Sequence, residues 1–182
     1  MLRRCSLTTQ AYVTDEVKSY IGKEGPEIVS EPIEASEVRR FTQAIMDPDP
    51  IHWNVEYTKK TRYGAPVAPP LFGTHWFRTP AGVPDPLSEN FKKDPEFDGL
   101  LREKSGPPMP PMPLKRTLNG GNDIEFFRYP KVGERVKAKG KIVDIYEREG
   151  RSGRMVFIIT DTTFRDEKGG VLMISRQTLI RR

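Results

Sequence analysis

The chain has 182 residues, 36% hydrophobic and 30% charged, which suits one domain, residues 1–182, with a core large enough to fold unaided. No apolar run is long enough to span a bilayer, and the single cysteine, Cys5, excludes an intrachain disulfide or a cysteine-rich metal site. The net charge of +5 comes from 30 basic and 25 acidic residues that interleave, as in "YEREGRSGR". Without a zinc finger, heptads or an aromatic-basic pattern, that balance favours a small polyanionic ligand over nucleic acid.

The opening "MLRRCSLTTQAYVTDE" lacks the continuous apolar core of a secretory signal, so a reducing cytoplasm is the expected compartment. In "SEVRRFTQAIMD" (36–47), Val38, Phe41, Ala44 and Ile45 fall on one helical face, with Ser36 as N-cap and Glu37 in the first turn. Pro48 disfavours helical geometry at Asp47, so the helix is expected to stop there. A second short helix is expected through "VEYTKKTR", ended by Gly64. "APVAPPLFGTHWF" (65–77) reads as the entry and first turn of a buried helix, where the missing N–H groups of Pro69 and Pro70 cost nothing. Residues 80–114 form a proline-rich insertion or connector, and its "SGPPMPPMP" run can cover a sheet edge.

From residue 119 the pattern becomes that of strands: "NDIEFFR", "ERVKAKGKIVDIYERE", "RMVFIITDTTFRDE" and "GVLMISRQTLIRR". Val136, Ala138, Gly140, Ile142 and then Asp144 alternate with polar neighbours, the period of a half-buried strand. "EGRSG" and "DEKGG" read as hairpin turns. The expected fold class is α+β, an antiparallel meander packed on one buried helix. "GKEGPEIV" has the wrong length and spacing for a nucleotide-binding loop.

"DPDPIH" (47–52) holds one of the two histidines. A neutral imidazole takes a proton from water and a neighbouring carboxylate orients it, so Asp47 and His52 form a candidate acid–base pair. On spacing alone, a solvent-facing Asp-Pro turn is the better reading. A metal site on Asp47, Asp49, His52 and His75 lacks a ligand ladder, and no Gly-x-Ser-x-Gly turn supports serine hydrolysis. His75, beside Trp76 and Phe77, reads as a packed core histidine.

The surrounding "FTQAIMDPDPIHWNVEYTKKTRYGAPVAPPLF" resembles the MaoC-like (R-specific) enoyl-CoA hydratase and 3-hydroxyacyl dehydratase family, and in particular its N-terminal-type dehydratase branch. The family motif Gly-Asp-x-Asn-Pro-aliphatic-His is matched at Asp47, Pro50, Ile51 and His52. Tyr57, Arg62, Tyr63, Gly64, Ala68 and Leu71 continue it, and Pro130, Gly133 and Glu134 match a later element, so that the likeness covers most of residues 36–182. The resemblance implies a hot-dog fold, an antiparallel sheet wrapped round one central helix. It implies an acyl-CoA or acyl-carrier thioester as substrate and no cofactor. It also implies a tunnel at an interface with a second MaoC-like hot-dog subunit, in a homodimer or heterodimer, with no membrane or nucleic-acid partner. Asp47 and His52 would activate the water and move the proton at the substrate's alpha carbon.

Two departures stand out. Asp49 replaces the family's Asn beside the pair, and an ionised carboxylate only accepts hydrogen bonds. The family's His-Gly, whose glycine N–H forms the oxyanion hole, falls on Pro69-Pro70, and proline has no N–H; unless the Leu71 N–H, the candidate donor, or another group substitutes, the site would be slow. Met46 stands where the family has Gly. Three readings compete: an active hydratase or dehydratase subunit, a non-catalytic partner that completes the acyl tunnel, and a thioesterase or acyl-binding module. Trp53, Phe72, Trp76 and Met109 are candidates to line the acyl pocket or the plain core. Arg128, Lys131, Arg148, Arg151 and Arg154 are candidates for CoA phosphates or a solvated face.

Overall fold

A computed structural model describes residues 11–70, 72, 82–97, 105–150 and 153–182. The expected buried helix after Pro70, with Leu71, His75 and Trp76, lies outside the described residues, as does Arg151. Among the described residues the elements run α1 (Asp15–Lys18), β1 (Ile28–Val29), α2 (Ala35–Ala44), a 3-10 turn (Pro50–His52), α3 (Val55–Thr58) and α4 (Pro86–Lys93). Four long strands follow: β2 (Thr117–Phe126), β3 (Val136–Gly150), β4 (Gly153–Asp166) and β5 (Val171–Arg181).

The strands form one antiparallel sheet in the order β1-β3-β4-β5-β2. β3, β4 and β5 are a meander, as their alternation and turn residues predict. In the β4–β5 turn, Asp166 Oδ1 accepts the N–H groups of Lys168 and Gly170, and Gly169 takes φ +89°. Val136, Ala138, Gly140 and Ile142 point inward as expected, but Asp144 is exposed. A register shift between Ile142 and Asp144 inserts one residue, so Ile145 rather than Asp144 returns to the core.

Two apolar clusters fill the inner face. Val136, Ala138, Phe164, Leu172 and Met173 pack with Ile33 and Val38 and with Ala68 and Phe72. Phe72 is fully buried, edge-on to Phe41 with ring centroids 5.2 Å apart, and burial of this kind stabilises the fold by about 1.5–3 kcal/mol. At the other end Ile142, Ile145, Val156 and Ile158 meet Val17, with Tyr12, Met109, Met112 and Leu114 packed against them. Met109 is therefore a partly buried side chain packed against the core.

The proline run meets a sheet edge at its first residue, Ser105. Residues 22–29 lie along the open edge of β3, where Gly25 N–H donates to the Gly140 carbonyl at 2.8 Å. Ser105 crosses at the same point, its carbonyl accepting the Gly140 N–H at 3.0 Å. A Cβ on Gly25 would sit 2.1 Å from the Ser105 carbonyl oxygen, so close approach of the two backbones requires glycine there.

Helix α2 differs at both ends from its expected limits. Its N-cap is Glu34, without a side-chain cap, and Ser36 lies inside the helix. Val38 and Thr42 are its buried positions, whereas Ala44 and Ile45 are exposed. The helix ends at Ala44 in a Schellman closure: Met46 N–H donates to Gln43 O (3.2 Å) and Asp47 N–H to Thr42 O (2.9 Å). This closure needs a left-handed residue, and Met46 takes φ +55° with its side chain in solvent. A left-handed L-residue costs about 1–2 kcal/mol. Met46→Gly is therefore expected to raise the melting temperature, by a gain under about 1 kcal/mol once glycine's unfolded-state entropy is counted; Met46→Val is expected to lower it.

Candidate active site

Every backbone N–H between Asp47 and His52 finds a local acceptor, which explains how so short a run becomes rigid. Asp47 N–H closes helix α2, and Asp49 N–H donates to Asp47 Oδ1 at 3.0 Å. Ile51 N–H donates to Asp49 Oδ1 at 3.0 Å, and His52 N–H to the Asp49 carbonyl at 3.3 Å. Pro48 and Pro50 each sit inside one of these two successive Asx turns, where no N–H is needed. The segment is a turn and a candidate site at once.

His52 is buried, its side chain 2% exposed. Its Nδ1 lies 2.7 Å from the Val67 carbonyl oxygen. A carbonyl only accepts, so Nδ1 carries a proton, and Nε2 is the nitrogen left to exchange one. Nε2 faces Asp47 Oδ2 at 3.4 Å, and the Asp47 side chain is 29% exposed. Asp47 Oδ1 is held by the Asp49 N–H, so Oδ2 is the oxygen turned to His52. The arrangement presents one imidazole nitrogen and one solvent-reachable carboxylate oxygen side by side, the geometry for handling the proton of a single water.

Val67 is the group that side-chain reasoning missed. Residues 66–68 form a short extended piece: Val67 N–H donates to Ile51 O (3.1 Å), Ala68 N–H to Pro130 O (2.8 Å), and Val132 N–H to Pro66 O (3.0 Å). The one signal in the sequence was Pro69, which biases Ala68 to extended geometry. The Pro130–Glu134 element thus supports the strand that orients His52. Glu134 accepts the Lys131 N–H (2.9 Å) and Arg128 Nη1 (2.8 Å), while Arg128 Nη2 reaches Asp166 (2.8 Å). Burial works against the Arg128 charge, but its two carboxylate partners outweigh that and hold its pKa above the ordinary value.

The Asp49 carboxylate accepts the Ile51 N–H and so caps the turn that carries His52. Asn offers the same Oδ1 acceptor. Asp49→Asn is accordingly expected to keep stability and activity, whereas Asp49→Ala is expected to lose about 1 kcal/mol of stability and to lower kcat. Thermal unfolding and steady-state kinetics of the two variants check this.

The other candidate residues are placed as follows. Trp53 is about half exposed, at the end of the 3-10 turn. Phe72 belongs to the core cluster above α2. Arg154 pairs with Glu147 and Glu149 at 3.3 Å each, and Glu147 also holds the N–H groups of Tyr12 and Val13. Arg148 lies over the Tyr146 ring. The N–H groups of Val67, Ala68 and Phe72 are all taken up by carbonyls, Phe72's by Pro69 at 3.0 Å, and Pro69 and Pro70 have none. Beside Pro70 is a small apolar void of about 10 Å³, lined by Phe126, Tyr129, Pro130, Phe164, Leu172 and Met173 among others. It has room for no more than one water molecule.

The family model described as "FAS1-like, dehydratase domain region" matches residues 19–175. No curated protein sequence matches the chain. Solved structures with similar folds include the ChsH1-ChsH2 complex from Mycobacterium tuberculosis (TM-score 0.63, 16% identity, 87% of this chain and 83% of that one). The (3R)-hydroxyacyl-ACP dehydratase complex HadBC from the same organism gives 0.56, 17%, 88% and 96%. The R-hydratase PhaJ1 from Pseudomonas aeruginosa, without ligand, gives 0.53, 14%, 88% and 81%. The chain belongs to the FAS1-like dehydratase family and has the MaoC-like α+β hot-dog fold.

Proposed function

We propose that the chain catalyses the reversible addition of water to a trans-2-enoyl thioester, giving a (3R)-3-hydroxyacyl thioester, with CoA or an acyl carrier as the thiol. The observation that carries this reading is the Asp47–His52 pair, with Nδ1 of His52 anchored on Val67 and Nε2 turned to Asp47 Oδ2. In hydration, His52 Nε2 and Asp47 Oδ2 hold one water at the beta carbon and take its proton as the C–O bond forms. The electrons of the double bond move to the thioester oxygen as an enolate, and the proton is returned at the alpha carbon. Dehydration is the reverse. No metal or cofactor enters the scheme.

A second reading has its own observation. The enolate needs a donor, and the N–H groups of Val67, Ala68 and Phe72 are already bonded, while Pro69 and Pro70 have none. Losing one oxyanion donor costs about 2.7–4 kcal/mol of transition-state stabilisation. If the Leu71 N–H does not supply it, the chain serves as the non-catalytic, tunnel-completing partner of another hot-dog subunit. Pairing with such a subunit is the assembly that the ChsH1-ChsH2 and HadBC complexes display. A cytoplasmic setting fits the substrate class; among the described residues no helix is long and apolar enough to cross a membrane.

The test is a steady-state assay with crotonyl-CoA and longer enoyl-CoAs, on the chain alone and with a co-expressed hot-dog partner. A (3R)-hydroxyacyl product from the chain alone supports the catalytic reading. Activity that appears only with a partner whose own acid–base pair is intact favours the second. Release of free CoA without a hydroxyacyl product identifies a thioesterase and ends both.

A further inference from the structure

The inner positions of β3 are core, and the alternate positions carry Lys137, Lys139 and Lys141 on the opposite, outer face. Across the ladder Lys137 stands directly opposite Arg165, and Lys139 opposite Thr163. Residues 24–27, running along the β3 edge, wall this face on one side. The result is a groove of about 150 Å³ lined by those four cations and Thr163, with Glu24 and Glu27 as the carboxylates among its described lining residues; Asp161, paired with Arg176, stands opposite Lys141. It shares no residue with the Asp47–His52 site.

The charges inside are not mutually satisfied. Glu24 is held by Lys139 at 2.5 Å, and that bond together with the nearby Lys141 keeps its carboxyl below the ordinary range. Lys141 makes no hydrogen bond or ion pair of its own among the described residues. Lys137 Nζ reaches only the Glu167 carbonyl, at 3.4 Å, and Arg165 Nη1 the Gly169 carbonyl, at 3.0 Å. Like charges directly opposite one another on a ladder destabilise it, so the Lys137–Arg165 pair is a cost to the fold, and neither cation makes an ion pair among the described residues. Alternate strand residues are about 7 Å apart, and one carboxylate does not bridge that span. A phosphate group presents several acceptor oxygens, and a diphosphate reaches cations at both ends of the groove.

We propose that this outer-face groove binds a phosphate-bearing small anion through Lys137, Lys141 and Arg165, with the Thr163 hydroxyl as a neutral donor. The site is separate from the proposed hydration chemistry and stands whether or not that reading holds.

Calorimetric titration of the full chain with inorganic phosphate, inorganic diphosphate and adenosine diphosphate tests it. Diphosphate is expected to bind at one saturable site, more weakly at about 0.15 M salt than at low salt. The exposed double variant Lys137→Gln/Arg165→Gln is expected to lose about tenfold or more in affinity, and Lys141→Gln a part of that. Lys92→Gln/Lys93→Gln, the same change of charge on α4, is expected to leave affinity unchanged. Tighter binding of adenosine diphosphate than of diphosphate assigns the site to a nucleotide, and equal binding assigns it to the free phosphate; both support the proposal. Absence of saturable binding, an equal loss in the α4 variant, or binding of polyglutamate in place of diphosphate would overturn it.

Discussion

Replacing His52 with Gln is expected to lower kcat/KM for enoyl-thioester hydration by about 10²–10⁴-fold. Gln fills a similar volume in the buried site but has no group that exchanges a proton near neutral pH. Asp47→Asn is expected to cost a comparable factor for a cleaner reason. The Asn Oδ1 still accepts the Asp49 N–H that the Asp47 carboxylate accepts at 3.0 Å, so the turn survives and only the charge facing His52 is lost. Because both groups act on one water, the double variant is expected to be about as slow as either single one, not the product of the two losses. Unchanged melting temperatures would show that the losses are chemical. Losses that multiply would mean that the two side chains act in separate steps.

The second large effect is on stability. Gly25→Ala places a methyl 2.1 Å from the Ser105 carbonyl oxygen and 2.5 Å from that of Gly106. Both are backbone atoms, and the Ser105 oxygen is held by the Gly140 N–H, so no rotamer change relieves the clash. The expected cost is near the upper end for overpacking, about 3 kcal/mol, or roughly 6–12 °C in melting temperature for a chain of this size. Gly140→Ala, with contacts of 3.0 and 3.1 Å to Ser105 and Pro107, is expected to cost less. A Gly25→Ala protein that melts with the wild type would mean that residues 105–107 do not seal the β3 edge.

That seal marks where the sequence stopped being readable. The long strands were legible because their side chains alternate and their turns carry Gly and Asp at the required places. The β3 bulge was not: the alternation through Ile142 continues onto Asp144 on paper, and only pairing with β4 shows that one residue is extra. "GKEGPEIV" looks like loop because it has two glycines and a proline. Its role is to lie flat against β3, where Gly25 is required by a contact with a residue 80 positions away. At α2, Pro48 correctly signalled an end, but the helix closes earlier, through a left-handed methionine that no local rule favours.

The candidate site divides the same way. Asp47 and His52 were legible as a spaced pair of the right chemistry. What orients them is backbone: the Val67 carbonyl, the Asp49 N–H and the Thr42 carbonyl. Such groups are present at every residue, so their use is set by the fold and leaves no mark in the side-chain pattern. Asp49 stood out as a carboxylate where the family has an amide, and it caps the turn through an oxygen that an amide also offers.

The most direct test of the central claim is the hydration rate of the chain carrying Asp47→Asn and His52→Gln together, purified with a co-expressed hot-dog subunit and compared with the same assembly of the wild type. The account predicts a loss of about 10²–10⁴-fold with the complex still assembled. Full activity of the doubly substituted complex would contradict it, and would move the chemistry to the partner subunit.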